Sequence, residues 1–201
     1  MGLNKKSVGG INSLTFLEEG KFTMIDDKVR EIASKMLSAD IKSELGAISK
    51  FVSSLDYKPS SKIDFRHRTG SQVLASGYST GCTDDAIAFI VIARSLGIPA
   101  RYVETLEEDW VSGKDRSDVI QGHIFVDLFI KGKWVAYDPR TGFTKSNKYI
   151  LATRNGEMAY KEIGKGLDFS EVYLKELDGY RATPINLQDV EKLKAFKVRS
   201  G

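Results

Sequence analysis

Residues 82–96, CTDDAIAFIVIARSL, leave this chain the fewest choices. From Ala86 to Ala93 every side chain is apolar. A helix here has no polar face to turn to water, so it must be enclosed on all sides. Ser79 or Thr80 is placed to cap its start, and Gly97 followed by Ile98-Pro99 ends it. The rest of the chain therefore has to supply layers around one central helix.

The flanking segments offer such layers. Residues 26–38 carry Val29, Ile32, Met36 and Leu37 at helical spacing, with acids in the first turn. Asp40 caps a second helix over 41–55, striped by Ile41, Leu45, Ile48, Phe51, Val52 and Leu55. TGSQVLAS, 69–76, reads as a short helix leading to Cys82. Strands are predicted at 100–106 (ARYVETL), 123–130 (HIFVDLFI) and 134–138 (WVAYD). Residues 107–121 make an unusually long connection between the first two, of the kind found at functional sites. Beyond Gly142, YILAT and SEVYLKEL read as strands and QDVEKLKAF as an amphipathic helix. The expectation is one α+β domain over 26–201, preceded by a partly irregular segment, 1–25.

Composition narrows the function. A net charge of +3 without a basic stripe argues against nucleic acid. One cysteine excludes an internal disulfide and a cysteine-based zinc site, and two histidines leave little for any other metal. No cofactor is expected. No apolar run approaches the ~20 residues of a membrane span. The N-terminus lacks the apolar core of a signal peptide, so the expected location is cytoplasmic and off the membrane. Oligomeric state is left open.

Cys82 falls where the central helix starts. Free backbone N–H groups and partial positive charge gather there, and both favour a thiolate and an oxyanion. Such a nucleophile wants a histidine, and the histidine wants an orienting group. His123 opens one strand and Asp138 closes the next. If Lys131-Gly132 is a two-residue turn, Ile130 pairs with Lys133 and Asp138 falls opposite Phe125. His123 is then a diagonal neighbour on the same face, ~7–8 Å away by Cα. A three-residue turn would send Asp138 to the other face.

These blocks together resemble the transglutaminase-like superfamily, whose core is papain-like. The matching stretches are GCTDDAIAFIVIARSLGIPARYV (81–103), GHIFVDLFIKGKWVAYDP (122–139) and, more loosely, SQVLASGYST (71–80). The resemblance implies a central helix packed on an antiparallel sheet. It also implies Cys82 as nucleophile, His123 as general base and acid, and Asp138 as the residue orienting His123. Phe125 and Asp127 stand where the family often has Trp and Glu. The family's upstream oxyanion donor has no certain match; Gln72 and Tyr78 are the candidates. Trp110 and Gln121 of the long connection are candidates for the substrate cleft, with packing an equal reading for Trp110.

Plainer readings apply elsewhere. Asp84 and Asp85 serve the helix dipole, His67 is a solvated loop residue, Trp134 is a core anchor, and the Lys/Glu pattern at 157–178 is a solvated face. The implied activity is thiol-dependent acyl transfer on peptide or protein amides, with a cysteine peptidase or amidase first. A protein-glutamine transglutaminase or glycan amidase on the same fold is the alternative. A non-catalytic peptide-binding module is the other.

Overall fold

The computed structural model describes residues 13–59, 66–116, 121–154 and 156–172. After a 3-10 turn at Ser13–Leu17 come α1 (Asp27–Ser34), α2 (Ile41–Ser53), β1 (Asp56–Tyr57), α3 (Gly70–Ser76), β2 (Tyr78–Ser79) and α4 (Cys82–Ser95). Then follow β3 (Ala100–Glu107), α5 (Glu108–Val111), β4 (Gly122–Ile130), β5 (Lys133–Asp138), β6 (Gly142–Phe143), β7 (Ile150–Thr153), β8 (Gly156–Gly166) and α6 (Phe169–Val172). The fold is α+β and papain-like.

Every residue of α4 from Thr83 to Arg94 is buried. Helices α1, α2 and α3 pack on one flank, and β3 and β4 on the other. The core thus joins Val29, Leu45, Ile48 and Val52 to Phe89, Ile90 and Ile92 and on to Tyr102, Val126 and Leu128. The six-stranded sheet runs β6-β5-β4-β3-β8-β7, antiparallel throughout. Val126 pairs with Tyr137 and Ile130 with Lys133, the register of the two-residue turn. Lys131 and Gly132 both take positive φ, 49° and 81°, which a type I′ hairpin requires.

The sheet's other face has its own polar core. Arg101 and Asp127 are cross-strand partners, joined at 3.0 and 2.8 Å. Lys165 and the Tyr149 hydroxyl also reach Asp127. The Arg101 guanidinium stacks on Trp134, 4.0 Å from the ring centre, and Phe16 meets the same indole edge-on. Trp134 is therefore an anchor of this outer layer, reached from the N-terminal segment.

Three differences from the sequence reading have local causes. Helix α1 stops at Ser34, short of the expected 38, and Met36 and Leu37 lie beyond it. Strand β8 was hidden because a bulge between its pairings to Glu104 and Thr105 breaks its alternation. The expected strand at 170–177 begins as helical turn α6, anchored by Asp168 capping Ser170 at 2.8 Å. The rest of that segment and the expected helix at 188–196 lie outside the described residues.

Candidate active site

Helix α4 opens without a side-chain cap. Its N-cap is Gly81 rather than Ser79 or Thr80, at φ 154° and ψ −166°, a region essentially closed to other residues. Ser79 and Thr80 are otherwise engaged. The Ser79 hydroxyl donates to the Gly81 carbonyl, and Thr80 gives its N–H and hydroxyl to Asp84 at 2.8 and 2.7 Å. The first-turn amides beside Cys82 thus meet no capping side chain.

Asp84 and Asp85 are not solvated charges serving the dipole. Asp84 is fully buried and ion-paired with Arg68, whose guanidinium also holds Ser76 Oγ at 2.8 Å and stacks on the Tyr78 ring. Asp85 receives Arg140 through two bonds, 2.6 and 2.9 Å. Each acid fastens a different loop to the helix start: Asp84 the approach to Cys82, Asp85 the turn after β5.

That turn carries the next part. Asp138 is buried at the end of β5. Its Oδ1 accepts from the N–H groups of Arg140 and Thr141, at 3.0 and 2.7 Å, and from the Thr141 hydroxyl. Its Oδ2 is left for His123 Nε2, at 2.7 Å. On the other side, Thr105 Oγ1 donates to the His123 carbonyl at 2.7 Å and fixes the start of β4. With Nε2 committed, Nδ1 is the ring nitrogen left for the thiol, and Cys82 lines the same cavity as the imidazole.

Burial disfavours a charged imidazole here. The hydrogen bonds to Asp138 and Cys82 and the charges of both outweigh it, and His123 is pushed up to about 10. Burial likewise opposes the Asp138 carboxylate, yet its bond to His123 and those to Thr141 hold it below the usual range. The arrangement sets an imidazole, oriented by Asp138, in the same cavity as the Cys82 sulfur.

The site opens into a cavity of about 180 Å3. Cys82, His123, Asp138 and Arg140 line it together with Leu151, Ala152 and Thr153 of β7. Tyr160 of β8 lies over the imidazole, with ring centres 5.7 Å apart. Burial first, then the charges of Glu107, Cys82 and Asp138, push its hydroxyl up to about 12. The sequence reading missed Arg68, Arg140 and Tyr160, and it read YILAT as a strand without placing it at the site. Their partners lie far along the chain, and no local motif marks them.

The remaining candidates fall elsewhere. Gln72 is exposed, and its side chain accepts from Thr69 N at 2.8 Å in a capping box. Its side-chain oxygen is spent on α3, and Gln72 is not among the residues lining the cavity around Cys82. Tyr78 is half-buried, its ring between Lys58 and Arg68. Trp110 is 3% exposed on α5, which gives it the packing role rather than a cleft wall. Gln121 is half-buried, and its carbonyl accepts from Glu107 N. His67 is exposed. No cluster among the described residues gathers three metal-binding side chains, and no helix among them is long and apolar enough to cross a membrane.

Residues 29–139 match the model of the transglutaminase-like superfamily, more than half of the chain. The chain belongs to that superfamily. One similar solved structure is a "Putative Cysteine Protease" from Cytophaga hutchinsonii, at 20% identity and a TM-score of 0.57, covering 79% of this chain and 48% of that one. It shares the fold. Another is the periplasmic domain of TgpA from Pseudomonas aeruginosa bound to ethylmercury, at 18% identity and a TM-score of 0.45, covering 63% and 48%. The chain spans about half the length of both. No curated protein matches it.

Proposed function

We propose that this transglutaminase-like protein is a thiol-dependent hydrolase of peptide or protein amides. The observation that carries the reading is the convergence on one cavity of Cys82, at the open N-terminus of α4, and His123, hydrogen-bonded to Asp138. The Cys82 thiolate attacks the amide carbonyl, and the carbonyl oxygen takes up the charge beside the first-turn N–H groups of α4. Collapse breaks the C–N bond while the His123 imidazolium gives its proton to the leaving amine. A thioester remains on Cys82. Neutral His123 then takes a proton from water, the hydroxide displaces the thiolate, and the acid product leaves. Asp138 keeps the ring oriented throughout and stabilises its charged form whenever it arises.

Water rather than an amine is favoured as the acceptor by the cavity's charges. Among the described residues, its only acidic wall residues are Asp85 and Asp138, one held by Arg140 and the other by His123. Neither is left to recruit a lysine ammonium.

The test is a peptide library incubated with the protein and a labelled primary amine, read by mass spectrometry. Cleavage or deamidation that disappears in Cys82→Ala is expected. Amine incorporation instead would make it a transferase, and no Cys82-dependent product would leave a binding module.

A further inference from the structure

Strand β7 closes the sheet on one side: among the described strands it pairs only with β8. It also lines the cavity that holds Cys82. Which of its backbone groups point outward follows from register. Tyr160 N donates to Tyr149 O at 2.8 Å, so that opposed pair is hydrogen-bonded. In an antiparallel ladder such pairs alternate. Leu151–Met158 and Thr153–Gly156 are therefore bonded pairs, while Ile150–Ala159 and Ala152–Glu157 turn their polar groups the other way. On β7 the other way is the free edge. The Ile150 N–H is already given to Lys148 O at 2.9 Å. That leaves the Ala152 N–H, the Ala152 carbonyl and the Ile150 carbonyl as an outward row at the mouth of the cavity. Ala152 is exposed, and its methyl group puts no bulk in front of them.

We infer that the substrate binds as an added strand on β7, its backbone hydrogen-bonded to Ala152, with the scissile carbonyl carried across the cavity to Cys82. The ligand class is an extended peptide, recognised through its main chain. The two walls have separate tasks. Helix α4 supplies the nucleophile, and the sheet edge supplies register. Leu151, on the neighbouring position of β7 and in the cavity wall, meets the substrate's side chains.

The inference rests on Cys82 being the nucleophile, and the test separates the two. The probe is a capped tripeptidyl chloromethyl ketone with apolar side chains, which forms a thioether with Cys82 as chloride leaves. Its analogues are methylated one amide at a time, which removes a donor without changing the reacting group. Iodoacetamide, which has no strand to offer, reports the thiol alone. In the wild-type protein, methylation at one amide slows alkylation of Cys82 at least tenfold, and methylation elsewhere does not. Ala152→Pro removes an N–H that serves no ladder bond, so the sheet tolerates it at this edge. In that variant the unmethylated probe slows by a similar factor, and the sensitive methylation adds little more. Equal rates across the methylated series in the wild-type protein overturn the inference by themselves, whether or not Ala152→Pro folds. Full losses that simply multiply between variant and methylation also overturn it. Failure of iodoacetamide to label Cys82 faster than in His123→Ala would instead overturn the nucleophile.

Discussion

Arg68 holds a carboxylate that has nowhere else to go. Asp84 is fully buried two residues after Cys82, and its Oδ1 has no partner among the described residues. Its Oδ2 takes Arg68 and both donors of Thr80. Arg68→Leu keeps the bulk and strands the charge. Breaking a buried pair this way costs ~3–5 kcal/mol, because the remaining ion is uncompensated. For a domain of this size each kcal/mol lowers Tm by ~2–4 °C, so the fall is roughly 6–20 °C. Circular dichroism melting measures it. The cause is checked by a change of sign. In the wild-type protein Asp84→Asn destabilises, since it leaves the Arg68 guanidinium unpaired. In the Arg68→Leu background the same change stabilises, since it removes the stranded charge while the amide keeps an acceptor for Thr80. If Asp84→Asn lowers Tm equally in both backgrounds, the pair is not what holds the approach to Cys82.

The raised His123 predicts two pH effects. A group whose folded value exceeds its ordinary ~6.5 stabilises fully below that value, and the contribution is lost as pH rises through about 10. Melting of the wild-type protein should therefore lose ground to His123→Ala between those limits, and a parallel decline would refute the pairing. Below about 10, iodoacetamide should alkylate Cys82 faster in the wild-type protein than in His123→Ala, and equal rates would refute the pairing. Asp85→Asn loosens the clamp between α4 and the turn after β5. It should cut turnover about tenfold, near 1.4 kcal/mol of lost positioning, with little change in KM. A larger effect on KM than on kcat would assign Arg140 to substrate binding instead.

What the sequence made legible were the features set by neighbours. The all-apolar 86–93 run fixed α4 as the centre. The Lys131-Gly132 turn fixed the hairpin register, and through it the meeting of His123 with Asp138. Gln72 was also legible, because Thr69-x-x-Gln72 is a capping-box pattern, and that role competed with the oxyanion one. The acids at 84 and 85 were not. Their burial depends on Arg68 and Arg140, one 16 positions before Asp84 and the other 55 after Asp85. Strand β8 was obscured by its bulge, and β7 gave no sign in sequence that it would line the cavity of the thiol.

Arg94, at the far end of α4, has a consequence of another kind. It is buried, and desolvation pulls it down to about 10. Its donors reach the Ala100, Glu18 and Leu167 carbonyls and Thr23 Oγ1, all within 3.0 Å. Beside it, Phe22 N donates to Asp168 across 146 positions of chain. One guanidinium thus stitches residues 18–23 to residues 167–168, segments far apart along the chain, into a seam. Pulled apart at those two segments, the domain would resist at Arg94 first, in a shear of short polar bonds.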